Sequence, residues 1–166
     1  MERRITDLDP IIQYNHEIIN AIISDQRVMG LISNNPNIDL DSDEAAEWEK
    51  HVEDYNYVDD TTVEDGAWIM VDTEMVKPLN NTMHRYEVVI KVTCSKGYMA
   101  LSGEKFPDYK GSRRDNICRF IDLLVKDSNN FGVGFLKLRS AVIAKSPNGY
   151  TSRVLTYRTE DFADSV

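Results

Sequence analysis

The stretch from Arg85 to Cys94 constrains the fold most, because it alternates with a period of two. Tyr86, Val88, Ile90, Val92 and Cys94 fall on one side and Arg85, Glu87, Lys91 and Thr93 on the other. Successive side chains of an extended chain point to opposite faces, so this is a strand with one buried face. Upstream, Ala67-Trp68-Ile69-Met70-Val71 is an apolar run after Gly66, short enough for a strand buried on both faces and expected to reach about Lys77, before Pro78. A turn at Pro78-Leu79-Asn80-Asn81 would join the two as a long antiparallel hairpin. A second hairpin is expected from Phe135 to Ala144 and from Tyr150 to Thr159. Its link is Ser146-Pro147-Asn148-Gly149, and Asn-Gly suits the positive φ angles of a tight hairpin turn.

Helical signals fill the remainder. Asp9 is a candidate N-cap with Pro10 at the first helical position, followed by apolar Ile11, Ile12, Ile18, Ile19, Ile22 and Ile23. A break at Ser24-Asp25 precedes a shorter apolar turn, Val28, Met29, Leu31 and Ile32, which Ser33-Asn34-Asn35-Pro36 ends. A third helix is expected around Ala45 to His51, anchored by Trp48 and Val52. Ser112, with Asp115 three residues on, resembles a capping box, and Ile117, Phe120, Ile121, Leu124 and Val125 form the buried face of a helix ending near Asp127-Ser128-Asn129-Asn130. The order α-α-β-β-α-β-β implies an α+β fold: a mostly antiparallel four-stranded sheet with helices on one face. No linker or repeat divides residues 1–166, so one domain is expected.

Charge is unevenly spread. Residues 39–65 hold twelve acids against Lys50 as the one base, a net −11 in a chain whose total is −9. Such an acidic insertion or loop repels a phosphate backbone, which excludes gripping DNA there through counterion release. The start, Met1-Glu2-Arg3-Arg4-Ile5, has no apolar segment after its basic pair, and no apolar run approaches the length of a membrane span. Cys94 and Cys118 fall on apolar positions and read as reduced core thiols of a chain made in a reducing cytoplasm.

No chemistry stands out. Asp39-x-Asp41-x-Asp43 resembles the opening of a calcium loop, but Glu44 stands where the turn wants Gly and Lys50 where a bidentate Glu should sit. His16, His51 and His84 lie apart, with no Cys or His at ligand spacing. Gly132-x-Gly134 lacks the third glycine and following helix of a dinucleotide site. Lys105, Lys110, Arg113 and Arg114 near a helix start read as a phosphate site or, more simply, a solvated basic edge. The expectation is no enzyme, no cofactor and no metal. The loop from Ser95 to Gly111 is unusually apolar; Tyr98, Met99, Phe106 and Tyr109 could cover their own core edge or dock on another subunit.

The succession of elements resembles the tail-completion proteins of long-tailed bacteriophages, called tail terminators or head-to-tail joining proteins. The resemblance rests on the helix running through Ile18-Ile19-Asn20-Ala21-Ile22-Ile23 into Val28-Met29-Gly30-Leu31-Ile32. It continues in a strand pair with His84-Arg85-Tyr86-Glu87-Val88, the helix start Arg113-Arg114-Asp115-Asn116-Ile117, and the closing Tyr150-Thr151-Ser152-Arg153-Val154-Leu155-Thr156-Tyr157-Arg158. It implies a non-enzymatic structural virion protein of the neck or tail, assembled in the host cytoplasm. Its partners would be copies of itself in a homo-hexameric ring, with tail-tube and neck or connector proteins on either side. DNA would pass without specific binding, and the acidic segment would line the channel or face outward. A closed ring uses head-to-tail contacts, so each subunit needs two different patches. The candidates are the loop from Tyr98 to Tyr109, with Phe106, and the sheet edge near Trp68 to Val76. Two other readings remain: an acidic DNA-mimic inhibitor, and a small enzyme with an unrecognised carboxylate site.

Overall fold

A computed structural model describes residues 8–55, 58, 61–62, 64–80, 83–126, 128, 131, 135–147 and 149–159. Outside it lie the basic start Met1 to Ile5, Asp59, Asp60, Asn81, Asp127, Asn129, Asn130, Gly132, Gly134 and Asn148. Helix α1 spans Asp9–Ile23 with Leu8 at the N-cap and no side-chain cap bond; Asp9, expected as the cap, sits one residue inside, where its charge favours the helix dipole. Asp25 caps α2 (Gln26–Ser33), accepting from the backbone N–H of Arg27 at 2.9 Å and Val28 at 3.2 Å. Asn34 ends α2 in the left-handed conformation, at φ 58°. The chain then doubles back so closely that a Cβ on Gly30 would meet Pro36 Cα at 3.0 Å.

The acidic segment holds regular structure. Ser42 caps α3 (Asp43–Glu49), placing Asp43 and Glu44 in its first turn, where the dipole favours negative charge. β1 (Val52–Glu53) then pairs in parallel with β2 (Ala67–Asn80) at Ile69 and Met70. That fifth strand corrects the four-stranded antiparallel expectation: the sheet is mixed, ordered β1-β2-β3-β5-β4. β2 also continues through Pro78 to Asn80, where register shifts loosen the ladder with β3 (Met83–Ser95). A 3-10 turn (Lys96–Tyr98), α4 (Arg113–Val125), β4 (Leu136–Ala144) and β5 (Tyr150–Thr159) complete the chain. Gly149 takes φ +85°, as a tight turn into β5 requires.

The helices lie on one face of the sheet, α1 over β2 and α4 over β3 and β5. The strand positions expected to be buried are buried: Tyr86, Val88, Ile90, Val92 and Cys94 from β3 pack with Ile18, Ile22, Ile117, Ile121 and Leu31. Both cysteines are free and buried, and burial pushes each thiol pKa up to about 12.

Candidate assembly surface

β4 is the outermost strand at one margin and, among the described residues, pairs only with β5. The register places Leu138 beside Tyr157 and Ile143 beside Arg153, whose side chains reach Asp122 and Asp115 of α4 at 2.9 Å each. Leu138 and Ile143 therefore belong to the helix-side face, and Val142, opposite Val154, to the other. Yet among the described residues no helix packs over β4 as α4 does over β3 and β5. Ile143 is 71 % exposed, Val142 53 %, and Phe135, just before the strand, 53 %. Only Leu136 is fully buried along this strand. A register shift between Leu138 and Ser140 leaves Arg139 outside the ladder. Bulges and basic side chains are devices that blunt an open edge, and both sit in the first half of β4. The second half, Ser140-Ala141-Val142-Ile143-Ala144, carries neither.

The opposite margin is also open in part. β1 covers β2 only at Ile69 and Met70; beyond them, among the described residues, no strand pairs with that side of β2. Glu74, Met75 and Val76 are exposed there. Asp72 is half-buried and accepts from Asn15 Nδ2 at 3.4 Å and its neighbour's N–H at 2.9 Å. The sheet edge read from Trp68 to Val76 is thus partly a real edge.

The four residues singled out as contact candidates lie inward. Phe106 is 4 % exposed and stacks on Tyr109 at 5.6 Å, and Tyr109 packs on Phe120 at 5.3 Å. Tyr98 donates its hydroxyl to the Ile32 carbonyl at 2.7 Å. Of the two uses left open for this loop, the structure carries the first: it covers its own core. The organiser is Arg113, only 2 % exposed, which lies over the Tyr98 ring at 4.1 Å. Its guanidinium donates to the carbonyls of Leu31, Tyr98 and Ala100 and to Asn34 Oδ1. Lys105 adds a bond to the Asn34 carbonyl at 3.0 Å. Three side chains of the loop and α4 thereby close the C-terminal end of α2, where orphan carbonyls and the helix dipole favour cations. Burial lowers the Arg113 pKa, with the Tyr98 and Cys94 surroundings opposing that shift. This removes both the phosphate-site reading and the solvated basic edge for Arg113 and Arg114, which are buried; of the four bases only Lys105 and Lys110 are exposed.

Trp68 is 3 % exposed and forms a second apolar cluster with Val58 and Tyr150 on the sheet face away from the helices. Its ring stacks on His51 at 5.2 Å and 8°, and Tyr150 donates to the Glu64 carbonyl at 2.7 Å. The acidic segment is thus tied to the sheet at His51, Val52, Glu53, Val58 and Glu64, while Asp39, Asp41, Asp43, Glu44 and Glu47 are exposed. The would-be calcium triad is turn chemistry: Asp39 Oδ1 accepts from the Asp41 N–H, and Asp43 opens α3. His51 Nδ1 lies 2.9 Å from the Ala67 carbonyl, which can only accept, so the ring carries its proton there. Burial lowers the His51 pKa, against the opposing pull of that carbonyl and Glu64. Among the described residues no group of three His, Cys, Asp or Glu could hold a metal, and no helix is long and apolar enough to cross a membrane.

β4 forms where the sequence predicts a strand, but its exposure is not legible there, because its residues are those of any β-rich strand. Its charge was the available signal: residues 135–159 carry Lys137, Arg139, Lys145, Arg153 and Arg158 and no acid. The molecule is an α+β fold whose sheet, among the described residues, outruns its helical cover at one margin. A family model for YomW matches residues 15–159, from within α1 to the end of β5, and the chain belongs to that family, a phage-derived family of Bacillus phage SPbeta-like gene products. No curated protein and no solved structure matches the chain.

Proposed function

We propose that this chain is a structural subunit of a phage particle, a tail terminator or head-to-tail joining protein that works as a hexameric ring around the DNA channel. The observation that carries this reading is β4, an outermost strand with apolar side chains exposed on both faces. A large uncovered apolar surface of this kind marks a place where another chain sits. The phage-derived family and the tail-completion resemblance give that contact its setting, with tail-tube and neck proteins as the neighbours above and below. The acids support a passage for DNA, since −11 on one segment repels phosphates, whereas a DNA mimic would spread acids over the whole fold. The chain itself would take no cofactor.

Gradient-purified particles analysed by protein mass spectrometry and immunogold labelling test this. The expected result is a few copies per particle, near six, labelled at the neck or tail end. A chain absent from particles and confined to the cell lysate would overturn it.

A further inference from the structure

We infer that the β4 edge of one copy of this chain pairs antiparallel with the β2 edge of the next, so that a ring of copies carries one continuous sheet. This rests on the ring reading and adds which surfaces meet. Strand direction is the first support. β2 and β3, β3 and β5, and β5 and β4 are each antiparallel, so β4 runs opposite to β2. A neighbour that continues the sheet in the same orientation therefore presents β2 antiparallel to β4, the pairing that needs no crossover and gives perpendicular ladder bonds.

Charge selects the same arrangement. The β4–β5 hairpin, residues 135–159, carries five bases and no acid; Arg153 and Arg158 pair with Asp115 and Glu87 of the same chain, which leaves Lys137, Arg139 and Lys145, while the β2 side carries Glu53 of β1 together with Asp72 and Glu74. A two-fold contact of β4 with β4 would set basic hairpins together, and β2 with β2 would set acids together. Only the head-to-tail contact opposes unlike charges, and it is also the kind that closes a ring.

The stretches left open on the two edges match in length. On β4 the bulge and Arg139 leave residues 140–144; on β2 the β1 contact at one end and Lys77-Pro78 at the other leave residues 71–76. Pro78 has no N–H to give a ladder, so pairing stops there. Pairing of these stretches would cover Val142 and Ile143 on one copy and Met75 and Val76 on the other, all exposed in the single chain.

The test uses the full chain and two double variants, Val142→Lys/Ile143→Lys, which blocks β4, and Glu74→Lys/Val76→Lys, which blocks β2. Thermal melts confirm that both fold. Light scattering at low salt should give a closed oligomer for the unaltered chain, monomers for each variant alone, and a one-to-one heterodimer for their mixture, because exactly one compatible edge pair survives in it. The inference is overturned if the unaltered chain stays monomeric at every concentration, if the mixture does, if the β2-blocked variant forms a homodimer through β4, or if duplex DNA and not a second copy is what the basic hairpin holds. Variants that still form a ring would sink the edge pairing and leave the virion reading standing. Heterodimers from a chain that is absent from particles would do the reverse.

Discussion

The loop from 96 to 112 and the strand β4 are both rich in apolar residues, and the structure treats them oppositely. Phe106 in the loop is 4 % exposed, whereas Ile143 in the strand is 71 % exposed. The loop is irregular in backbone, yet it is tied down by Tyr98, Lys105 and Arg113, which donate to carbonyls and to Asn34 at the end of α2. The strand is regular, yet it lies one position beyond the reach of α4. Regularity of the backbone therefore says nothing about cover. What decides is whether another element can stack on the side chains, and among the described residues β4 has none.

The comparison breaks most sharply at Arg113. Replacement with Met keeps much of the volume but leaves the buried Leu31 carbonyl and the part-buried Tyr98 and Ala100 carbonyls without their donor, and a buried polar group costs about 1–3 kcal/mol when unpaired. The expected loss is about 3 kcal/mol or more by chemical denaturation. A loss under about 1 kcal/mol would mean that water replaces the guanidinium and that the loop is less closed than drawn. Next comes Phe106→Ala, which removes a buried ring stacked on Tyr109 and should cost about 3 kcal/mol. If Phe106 instead served a subunit contact, its loss would lower assembly while leaving the melting of the monomer in place.

Most of the helix and strand pattern was legible because it depends on local rules. The alternation from Tyr86 to Cys94, the Ser112 cap and the Gly149 turn each encode their geometry in a few neighbouring residues. The short β1 was not legible, because two residues carry no period and Val52 and Glu53 pair only once β2 is in place. The direction of Trp68, Tyr98, Phe106 and Tyr109 was not legible either. An aromatic in a loop has the same composition signal whether it packs inward or outward, and here a buried Arg113 just past the loop ties it to Leu31, 82 residues earlier in the chain. The same limit hid β4, whose exposure follows from strand order and from where α4 ends, neither of which is local.

A smaller effect concerns how the acidic segment is fastened. His51 stacks on Trp68 and donates to the Ala67 carbonyl, and burial holds its pKa below the ordinary value of 6.5. The unfolded chain therefore binds a proton at higher pH than the folded one. The stabilisation is complete above the unfolded value and falls away as the pH drops through 6.5 toward the folded pKa. Urea midpoints measured from pH 7.5 down to 5 should fall more for the native chain than for His51→Gln. Parallel slopes for the two would remove His51 as the source, and with it the claim that the segment is fastened through a neutral ring.

The least effect on folding is expected where the effect on assembly is greatest. Ile143→Lys replaces a side chain already in water, and a lysine on an edge strand is a residue that natural sheets use there, so the monomer should keep its stability to within about 0.5 kcal/mol. The paired measurement is thermal melting at low concentration, where no oligomer forms, beside light scattering at high concentration. Unchanged melting with lost assembly places the exposed strand and the buried loop on opposite sides of one division, contact surface against core. Lost melting would mean that Ile143 is covered within the single chain after all, and the division between loop and strand would fall.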